Sequence, residues 1–285
     1  MDATQVTDPC CEHAEGPVWD PRTERLLWVD MLAGDVLTMA PDSPQVRRHH
    51  VDSVAAVVRP RAGDDGYLVA VERGFVLTDG QLRPVRRLPD LWTDPDVRMN
   101  EGGCDPAGRF YCGSMAYDSR PGAGTLYRLD ADLTARPVLA DVTISNGIGW
   151  SPDGTRAYYV DTPTQRVDVF DYDPERPGLT GRRPFARIES SDGAPDGLTV
   201  DAEGGVWVAL WGGGEVRRYA PDGRLDVRLP VPAGQVTACT FGGPELRDLY
   251  ITTSRLGLTD PEPGAGALFR ADPGVAGLPV TPFRD

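Results

Sequence analysis

Four oxygen-bearing side chains occur at the same place in successive segments of this chain, each five residues before a turn rich in Asp, Pro, Ser and Gly. They are Glu15, Asn100, Asn146 and Asp196. Carboxylate and amide oxygens are the donors that hard divalent cations prefer. Carboxylates held close together at low dielectric are costly without a cation. If the fold brings these segments together, the pattern predicts a metal site.

The segments belong to an internal repeat. A short β-rich run recurs six times, at 26–30, 66–71, 109–114, 157–162, 205–210 and 248–253. Aligned on Trp28, Leu68, Tyr111, Tyr159, Trp207 and Tyr250, the copies are 40, 43, 48, 48 and 43 residues apart. Most copies follow a turn such as CDPAGR or WSPDGT and precede a second turn and further alternating runs. The unit therefore contains about four short strands.

Four strands in a unit of this length indicate a blade of a β-propeller, because one such sheet buries both faces only between two neighbours. A β-sandwich or a parallel β-helix fits the repeat less well. We predict an all-β fold, a six-bladed propeller with four antiparallel strands per blade, as a single domain over 1–285. The blades should start near 15, 53, 100, 146, 196 and 236. Either residues 1–14 or the stretch 278–283 could supply the strand that closes the ring.

In a propeller the first strand of each blade lines the central channel, so equivalent positions converge there. Ser53 and Val236 occupy the other two positions of the set. The set offers oxygen donors and no His, which favours calcium, magnesium or manganese over zinc, although the geometry also admits zinc. The alternative is that Asn146 and Asp196 cap ordinary turns, since Asn-Gly and Asp-Gly are common turn dipeptides.

Composition excludes several other functions. The net charge is −14 and the chain contains no Lys, so nucleic acid and anionic membranes are poor partners. The chain lacks GxSxG, HExxH and P-loop motifs. It also lacks an apolar run long enough to span a membrane, and its five Cys contain no CxxC pair. We predict a soluble, cytoplasmic monomer with reduced thiols.

Five strings in the same order resemble the regucalcin, gluconolactonase and luciferin-regenerating enzyme family. They are EGPVWDP (15–21), RMNEGGCDPAGRFYCGSM (98–115), NGIGWSPDGTRAYYVD (146–161), PDGLTVDAEGGVWVALWGG (195–213) and VTACTFGGPELRDLYITT (236–253). The resemblance implies a six-bladed propeller with one divalent cation, often calcium or zinc. It places the metal ligands on Glu15, Asn146 and Asp196.

The resemblance also implies hydrolysis of a sugar lactone and places the substrate contacts. Arg98, Asn100 and Asp118 match these contacts, and we include Glu101, which stands where relatives usually have Asp. Asp196 is the candidate general base, with activation of water by the cation itself as the alternative. Arg98 could instead pair with a nearby surface carboxylate, Asp94 or Asp96. Asp118 could be a solvated loop residue.

Other side chains near these motifs leave alternatives open. Trp211 could form an apolar wall of the site or pack in the core. His13 could support the site from behind or face solvent. Two other functions also remain: hydrolysis of another ester or a phosphotriester, including a specialised biosynthetic step, and a non-catalytic calcium-binding propeller.

Overall fold

Short strands make up nearly all regular structure in the computed structural model, which describes residues 2–43, 45–176 and 178–285. The strands in chain order are β1 Thr4–Gln5, β2 Ala14–Asp20, β3 Arg25–Asp30, β4 Asp35–Met39, β5 Arg47–His50, β6 Ala55–Pro60, β7 Tyr67–Val71, β8 Gly74–Thr78, β9 Pro84–Arg87, β10 Val97–Cys104, β11 Phe110–Ala116, β12 Gly124–Leu129, β13 Ala135–Val142, β14 Ser145–Trp150, β15 Arg156–Asp161, β16 Arg166–Asp171, β17 Thr180–Arg187, β18 Ala194–Val200, β19 Val206–Trp211, β20 Glu215–Tyr219, β21 Leu225–Pro230, β22 Val236–Gly242, β23 Asp248–Thr253 and β24 Leu268–Ala271. Single 3₁₀ turns occur at Met31–Ala33, Thr162–Thr164 and Ser190–Asp192. No helix in the described ranges is long and apolar enough to cross a membrane.

The strands form six antiparallel four-stranded sheets arranged in a ring. The sheets are β2–β5, β6–β9, β10–β13, β14–β17, β18–β21 and β22–β24 with β1, and we call them blades 1 to 6. The first strand of each blade contacts the first strands of both neighbours, and β22 contacts β2 to complete the circle. The predicted all-β, six-bladed propeller is therefore confirmed.

The blades begin close to the predicted positions. Their first strands start at Ala14, Ala55, Val97, Ser145, Ala194 and Val236. The position predicted for blade 2 is wrong in detail, because Ser53 lies in an exposed bend before β6. Val58, five residues after Ser53, lies inside β6, whereas the hairpin turn begins at Arg61, whose N–H donates to Gly66 O. Residues 61–66, RAGDDG, match none of the turns DPAG, SPDG and DAEG of blades 3, 4 and 5.

The N-terminal end of the chain closes the ring. β1 pairs with β24 through Thr4 opposite Arg270 and Gln5 opposite Phe269. It therefore supplies the fourth, outermost strand of blade 6. Of the two segments that could close the ring, residues 1–14 therefore supply the closing strand.

The other segment, 278–283, forms part of a strap across one end of the channel. We call this end the turn face, because it carries the hairpins between the first and second strands. The opposite end, where the first strands begin, is the site face. Ala202 N–H donates to Ala276 O at 2.9 Å, Phe283 N–H to Pro60 O at 2.8 Å and Arg284 N–H to Gly108 O at 2.8 Å. These bonds connect blade 5 to blades 2 and 3.

The hydrophobic core lies between the blades. The second strands are the most buried, and Trp28, Tyr111 and Trp207 are each 0% exposed. The fourth strands are largely exposed, as in β9, where every residue is exposed. Cys112 of β11 is also 0% exposed, as expected for a small core residue in line with Val29 and Val160. Because the inner strands are buried and packed between the blades, the ends of the first strands at the site face are held in place.

Buried carboxylates organise the hairpins of the turn face. Asp20, Asp105 and Asp201 each begin such a turn and are 0% exposed. Asp201 Oδ1 accepts the Glu203 and Gly205 N–H groups, and Oδ2 accepts Trp207 Nε1 at 2.8 Å and Arg218 Nε at 2.7 Å. The repeated Asp of the DPAG and DAEG turns is therefore fully hydrogen-bonded and structural.

Candidate metal centre

The predicted oxygen donors come together at the site face. Glu15 is on β2, Asn146 on β14 and Asp196 on β18, and they are 2%, 4% and 5% exposed. Asn100 and Glu101, on β10, are equally buried. Four different blades thus contribute one end of their first strand to a single buried cluster, as the repeat predicted.

A β-bulge places these residues in each strand. The pairing register shifts between Glu15 and Val18, between Ser145 and Ile148, and between Pro195 and Leu198. The same shift occurs in β10 between Met99 and Gly102. A bulge sets two residues opposite one and re-aims the side chain. This local irregularity turns the donor side chains out of the regular strand alternation.

The Asn-Gly and Asp-Gly dipeptides are not turns. Both lie inside strands, β14 and β18. Their glycines allow neighbouring first strands to approach closely, since a Cβ on Gly147 would lie 2.4 Å from Leu198 N and one on Gly197 2.5 Å from Ala238 Cβ. The alternative that Asn146 and Asp196 cap turns is therefore wrong.

A chain of hydrogen bonds connects the polar groups across three blades. Arg98 Nη1 donates to Asn100 Oδ1 at 2.7 Å, and Asn100 Nδ2 donates to Asn146 Oδ1 at 3.2 Å. Asn146 Nδ2 donates to Thr162 Oγ1 at 2.8 Å, which in turn donates to Pro195 O. The amide oxygens of Asn100 and Asn146 are thereby held at defined positions in the cluster.

The cluster has an excess of buried acidic groups. Burial, then the nearby Asp196 and Glu101 carboxylates, raise the pKa of Glu15 well above its usual value. Burial and Glu101 raise the pKa of Asp196, while Arg98 opposes the shift. Burial also raises the pKa of Glu101, and Arg59, with its Nη2 3.8 Å from Glu101 Oε1, opposes it. The site favours an added positive charge.

Two carboxylate oxygens in this cluster lack any hydrogen-bond partner among the described residues. They are Asp196 Oδ1 and Glu101 Oε2, and both are buried. Buried polar atoms without partners are rare and point to an ion or ligand. Among the described residues, no three His, Cys, Asp or Glu side chains could hold a metal ion together. A set of ligands for a cation here would therefore have to include the Asn146 amide oxygen beside the Glu15 and Asp196 carboxylates. Such an all-oxygen set suits a hard divalent cation.

Arg98 lies inside the site rather than on the surface. It is 5% exposed, and its Nη1 contacts Met99 O at 2.9 Å and Met31 Sδ at 2.9 Å. The alternative of a surface ion pair is wrong, because Asp94 instead pairs with Arg120 at 2.9 Å. Arg98 Nε is buried and has no hydrogen-bond partner in the part of the chain that the structure describes. A buried guanidinium with an unused N–H can bind an oxygen of a ligand.

Asp118 is at the rim and does not join the buried cluster. Its side chain is 64% exposed and lies 3.3 Å from Arg120 Nη1. Its neighbour Tyr117 is 45% exposed and packs against Arg98, with its ring 5.6 Å from the Arg98 guanidinium and its Oη donating to Glu72 Oε1 at 2.8 Å. The sequence analysis did not assign Tyr117 a role, because no spacing rule predicts the direction of a side chain beyond a strand end.

His13 is buried behind Glu15. Its Nδ1 is 2.9 Å from Ser254 Oγ and its Nε2 is 4.0 Å from Glu15 Oε1. Burial, followed by the charge of Arg98, lowers the pKa of His13 to about 3, so the imidazole is neutral. The Trp211 ring meets it edge-on at 5.8 Å. Both residues therefore support the wall of the site. The sequence signals for them were the position of His13 two residues before Glu15 and the position of Trp211 at the end of β19.

A cavity of about 420 Å³ lies in the channel towards the turn face. Of the predicted site residues only Glu101 lines it, together with Arg59, Thr199 and Cys239. Residues 278–281 of the strap line its far end. The cavity therefore reaches the buried cluster at Glu101, and its lining does not include Glu15, Asn100, Asn146 or Asp196.

These features define a six-bladed propeller with a buried cluster of oxygen-bearing side chains at one end of its axis. The chain belongs to the SMP-30/gluconolactonase/LRE-like family, whose sequence model matches residues 13–255. The family predicted from the five strings is thus confirmed.

Named relatives cover nearly the whole chain. Pentonolactonase XacC of Haloferax volcanii is 39% identical over 295 residues, with 98% of this chain and 97% of the relative covered. The putative sugar lactone lactonase YvrE of Bacillus subtilis is 34% identical, with 99% of each chain covered. The crystal structure of a calcium-binding protein, regucalcin, from Agrobacterium tumefaciens superposes with a TM-score of 0.92 at 30% identity, covering 99% of this chain and 96% of that chain.

Proposed function

We propose that the protein hydrolyses a sugar lactone, an aldono-lactone, to the aldonic acid with one bound divalent cation. The observation that carries this proposal is the buried pair Glu15 and Asp196, with the unpartnered Asp196 Oδ1. The lactonase names of two relatives support the reaction class, and the prediction of a lactone hydrolase agrees with them. The substrate is accordingly a small molecule.

Glu15, Asn146 and Asp196 would hold the cation. When bound, it would polarise the lactone carbonyl and balance the negative charge of the cluster. We propose calcium, which the oxygen donors suit and which the name of the Agrobacterium protein supports, with zinc, manganese or magnesium as alternatives.

Asp196 is the proposed general base. Its free Oδ1 can accept a proton from water as the water oxygen attacks the carbonyl carbon. The C–O bond of the ring then breaks, and the leaving ring oxygen takes that proton from Asp196 to become a hydroxyl group, which restores the carboxylate. Burial and the nearby Glu101 carboxylate raise the pKa of Asp196, and Arg98 opposes this effect. A bound cation would also lower this pKa and so keep Asp196 ionised as a base requires.

Arg98, Asn100, Glu101 and Asp118 are the proposed substrate contacts. Arg98 Nε is free to donate to the carbonyl oxygen or to the carboxylate product. Asn100 is fixed between Arg98 and Asn146 and presents its amide near the same place. Asp118 would reach only the part of the lactone outside the buried cluster, since it lies at the rim.

The test is hydrolysis of a panel of aldono-1,4- and aldono-1,5-lactones after chelator stripping, with each of the four cations restored separately. We expect turnover above the spontaneous rate with at least one cation, and its loss in Asp196→Ala. Asp132→Ala, at a solvent-exposed turn carboxylate, is the matched control and should be fully active. A folded, cation-binding protein that hydrolyses no lactone would overturn the proposal and favour a non-catalytic propeller; turnover of other esters or phosphotriesters alone would favour the other alternative.

We further propose that the protein is a cytoplasmic monomer. The five cysteines are free thiols in the structure, which agrees with a reducing compartment. Size-exclusion chromatography with light scattering tests the monomer, and fractionation of the source cells tests the compartment.

A further inference from the structure

Two adjacent cysteines in the segment between β1 and β2 have converging sulfur atoms. Cys10 Sγ and Cys11 Sγ are 3.9 Å apart. Adjacent side chains in an extended chain point to opposite sides. Here the N–H groups of both cysteines donate to one carbonyl, Gly266 O, at 3.0 and 3.1 Å, so the backbone turns both residues the same way. The fold thus brings two thiols into contact outside the metal site.

The two thiols differ in accessibility. Cys11 is 4% exposed, and its sulfur accepts Trp28 Nε1 at 3.4 Å. Cys10 is half-buried, with its sulfur 3.7 Å from Thr7 Oγ1, and Arg48 donates to its carbonyl oxygen. A reagent from solvent therefore reaches Cys10 first, while Cys11 lies behind it in the core.

We propose that Cys10 and Cys11 form a reversible redox dithiol, which a hydroperoxide oxidises to a disulfide within one chain. The Cys10 thiolate attacks the peroxide, the O–O bond breaks, and Cys10 becomes a sulfenic acid while an alcohol or water leaves. Cys11 sulfur then attacks Cys10 sulfur, the S–O bond breaks, and the hydroxide leaves as water with the Cys11 proton. Two thiols and one hydroperoxide yield a disulfide, water and an alcohol or a second water.

The surroundings of the two thiols favour Cys10 as the group that attacks the peroxide and Cys11 as the group that then forms the disulfide. The hydrogen bond from Cys11, followed by Thr7 and the charge of Arg48, lowers the pKa of Cys10 to about 7 against the opposing effect of burial. The same contact and burial raise the pKa of Cys11, which stays a thiol. An accessible thiolate next to a second thiol is the arrangement of oxidation-sensitive cysteine pairs.

The other cysteines lack these features. Cys112 and Cys239 are buried, and burial raises the pKa of both. Burial raises the pKa of the partly exposed Cys104 to about 12. Oxidation should therefore be selective for the pair.

A disulfide between adjacent residues is also easily reversed. Neighbouring Cα atoms are about 3.8 Å apart across a trans peptide, below the usual range of about 4.4–6.8 Å for bridged cysteines. Strained disulfides are readily reduced. The bond would form in the segment that closes the ring: Arg48 joins the Cys10 carbonyl to Asp30, and Asp30 accepts the Glu12 and His13 N–H groups ahead of Glu15.

The test is titration of the reduced full-length protein with one equivalent of hydrogen peroxide. We expect two of the five thiols to disappear, with loss of two hydrogens from a single chain and a peptide linking Cys10 to Cys11. Excess glutathione should restore both thiols. The initial rate should rise with pH around a midpoint near 7, below that of the Cys104 thiol.

Variants separate the two roles. Cys11→Ser should stop at a sulfenic acid on Cys10 that dimedone traps, Cys10→Ser should not react, and the matched control Cys104→Ser should behave as the wild type. Retention of all thiols in the wild type, a sulfinic acid on Cys10 with Cys11 intact, or cross-linked dimers would overturn the proposal. The wild-type result does not depend on any variant folding, and none of these readouts depends on lactone hydrolysis.

Discussion

The two ends of β18 each carry a buried aspartate, but the two carboxylates have opposite surroundings. Asp201, at the turn face, is 0% exposed and accepts two backbone N–H groups, Trp207 Nε1 and Arg218 Nε. Asp196, at the site face, is 5% exposed, and its Oδ1 has no partner. Both cost free energy to desolvate, and only the first is compensated within the protein. A buried acid with all its bonds stabilises the fold, and one without them is available for a ligand.

The same contrast recurs in blade 3. At the turn face Asp105 accepts the Ala107 and Arg109 N–H groups and Arg109 Nε at 2.6 Å. At the site face of the same strand Glu101 Oε2 lacks a partner. The propeller therefore stabilises the hairpins of blades 1, 3 and 5 with buried, paired aspartates at the turn face, and carries carboxylate oxygens without partners at the site face. We therefore place the proposed function at the site face, where these carboxylate oxygens lack hydrogen bonds.

Substitution of Asp196 should give the largest effect on activity. Asp196→Ala removes both the proposed base and a cation ligand, so kcat/KM should fall by roughly 10²–10⁴-fold or more. The unfolding temperature of the metal-free protein should not decrease, because the removed carboxylate lacks a partner for Oδ1. Steady-state lactone hydrolysis tests the expected fall in kcat/KM, and thermal unfolding in the presence of a chelator tests the expected unfolding temperature. A large loss of stability without loss of specific activity would place Asp196 with the structural acids.

Substitution of Asp201 should reverse this pattern. Asp201→Ala leaves Arg218 and the Trp207 and backbone N–H groups without their acceptor, so the free energy of unfolding should fall by about 3–5 kcal/mol. The folded fraction should keep its kcat/KM. Urea unfolding followed by Trp fluorescence measures the loss. Wild-type stability, or a selective loss of turnover by the folded fraction, would contradict the assignment of Asp201 to the fold alone.

A bound cation should stabilise the protein through the carboxylates of the site face and not through those of the turn face. At about a hundred times Kd, calcium should raise the stability of the wild type by about 2.7 kcal/mol through binding to the folded state alone. Glu15→Gln and Asp196→Asn should lose most of this gain, whereas Glu203→Gln, at an exposed carboxylate of the turn face, should keep it. Thermal unfolding at several calcium concentrations gives the comparison. An equal gain in all variants would place the ion elsewhere.

The repeat, the blade number and the convergence of the candidate donors could be predicted from the sequence because each depends on a periodic pattern. Glu15, Asn146 and Asp196 share one offset from a recognisable turn, and the bulges and close glycines place them together. Blade 2 lacks that turn, so the offset failed at Ser53. The closing strand is only two residues long and has no pattern of its own.

Contacts between blades could not be predicted in this way. Tyr117 covers Arg98 and bonds to Glu72 of blade 2, and His13 meets Ser254 of blade 6 across 241 positions. Cys10 and Cys11 converge because both bind one carbonyl in blade 6. These arrangements depend on how separate sheets pack, and a single sequence carries no signal for them.

The smallest expected effect concerns two neighbours at the rim, of which Tyr117 packs against the site residue Arg98 and Asp118 does not. Tyr117 packs on Arg98, whose Nε lacks a partner, whereas Asp118 is exposed and paired with Arg120. Tyr117→Ala should loosen Arg98 and raise KM by roughly threefold to tenfold, as expected for a cation–π contact of about 1 kcal/mol. Asp118→Asn should raise KM by less than about twofold, because exposed ion pairs contribute little. Michaelis–Menten kinetics on one lactone decide between them, and the opposite ranking would show that the rim carboxylate leaves Arg120 to bind the substrate directly.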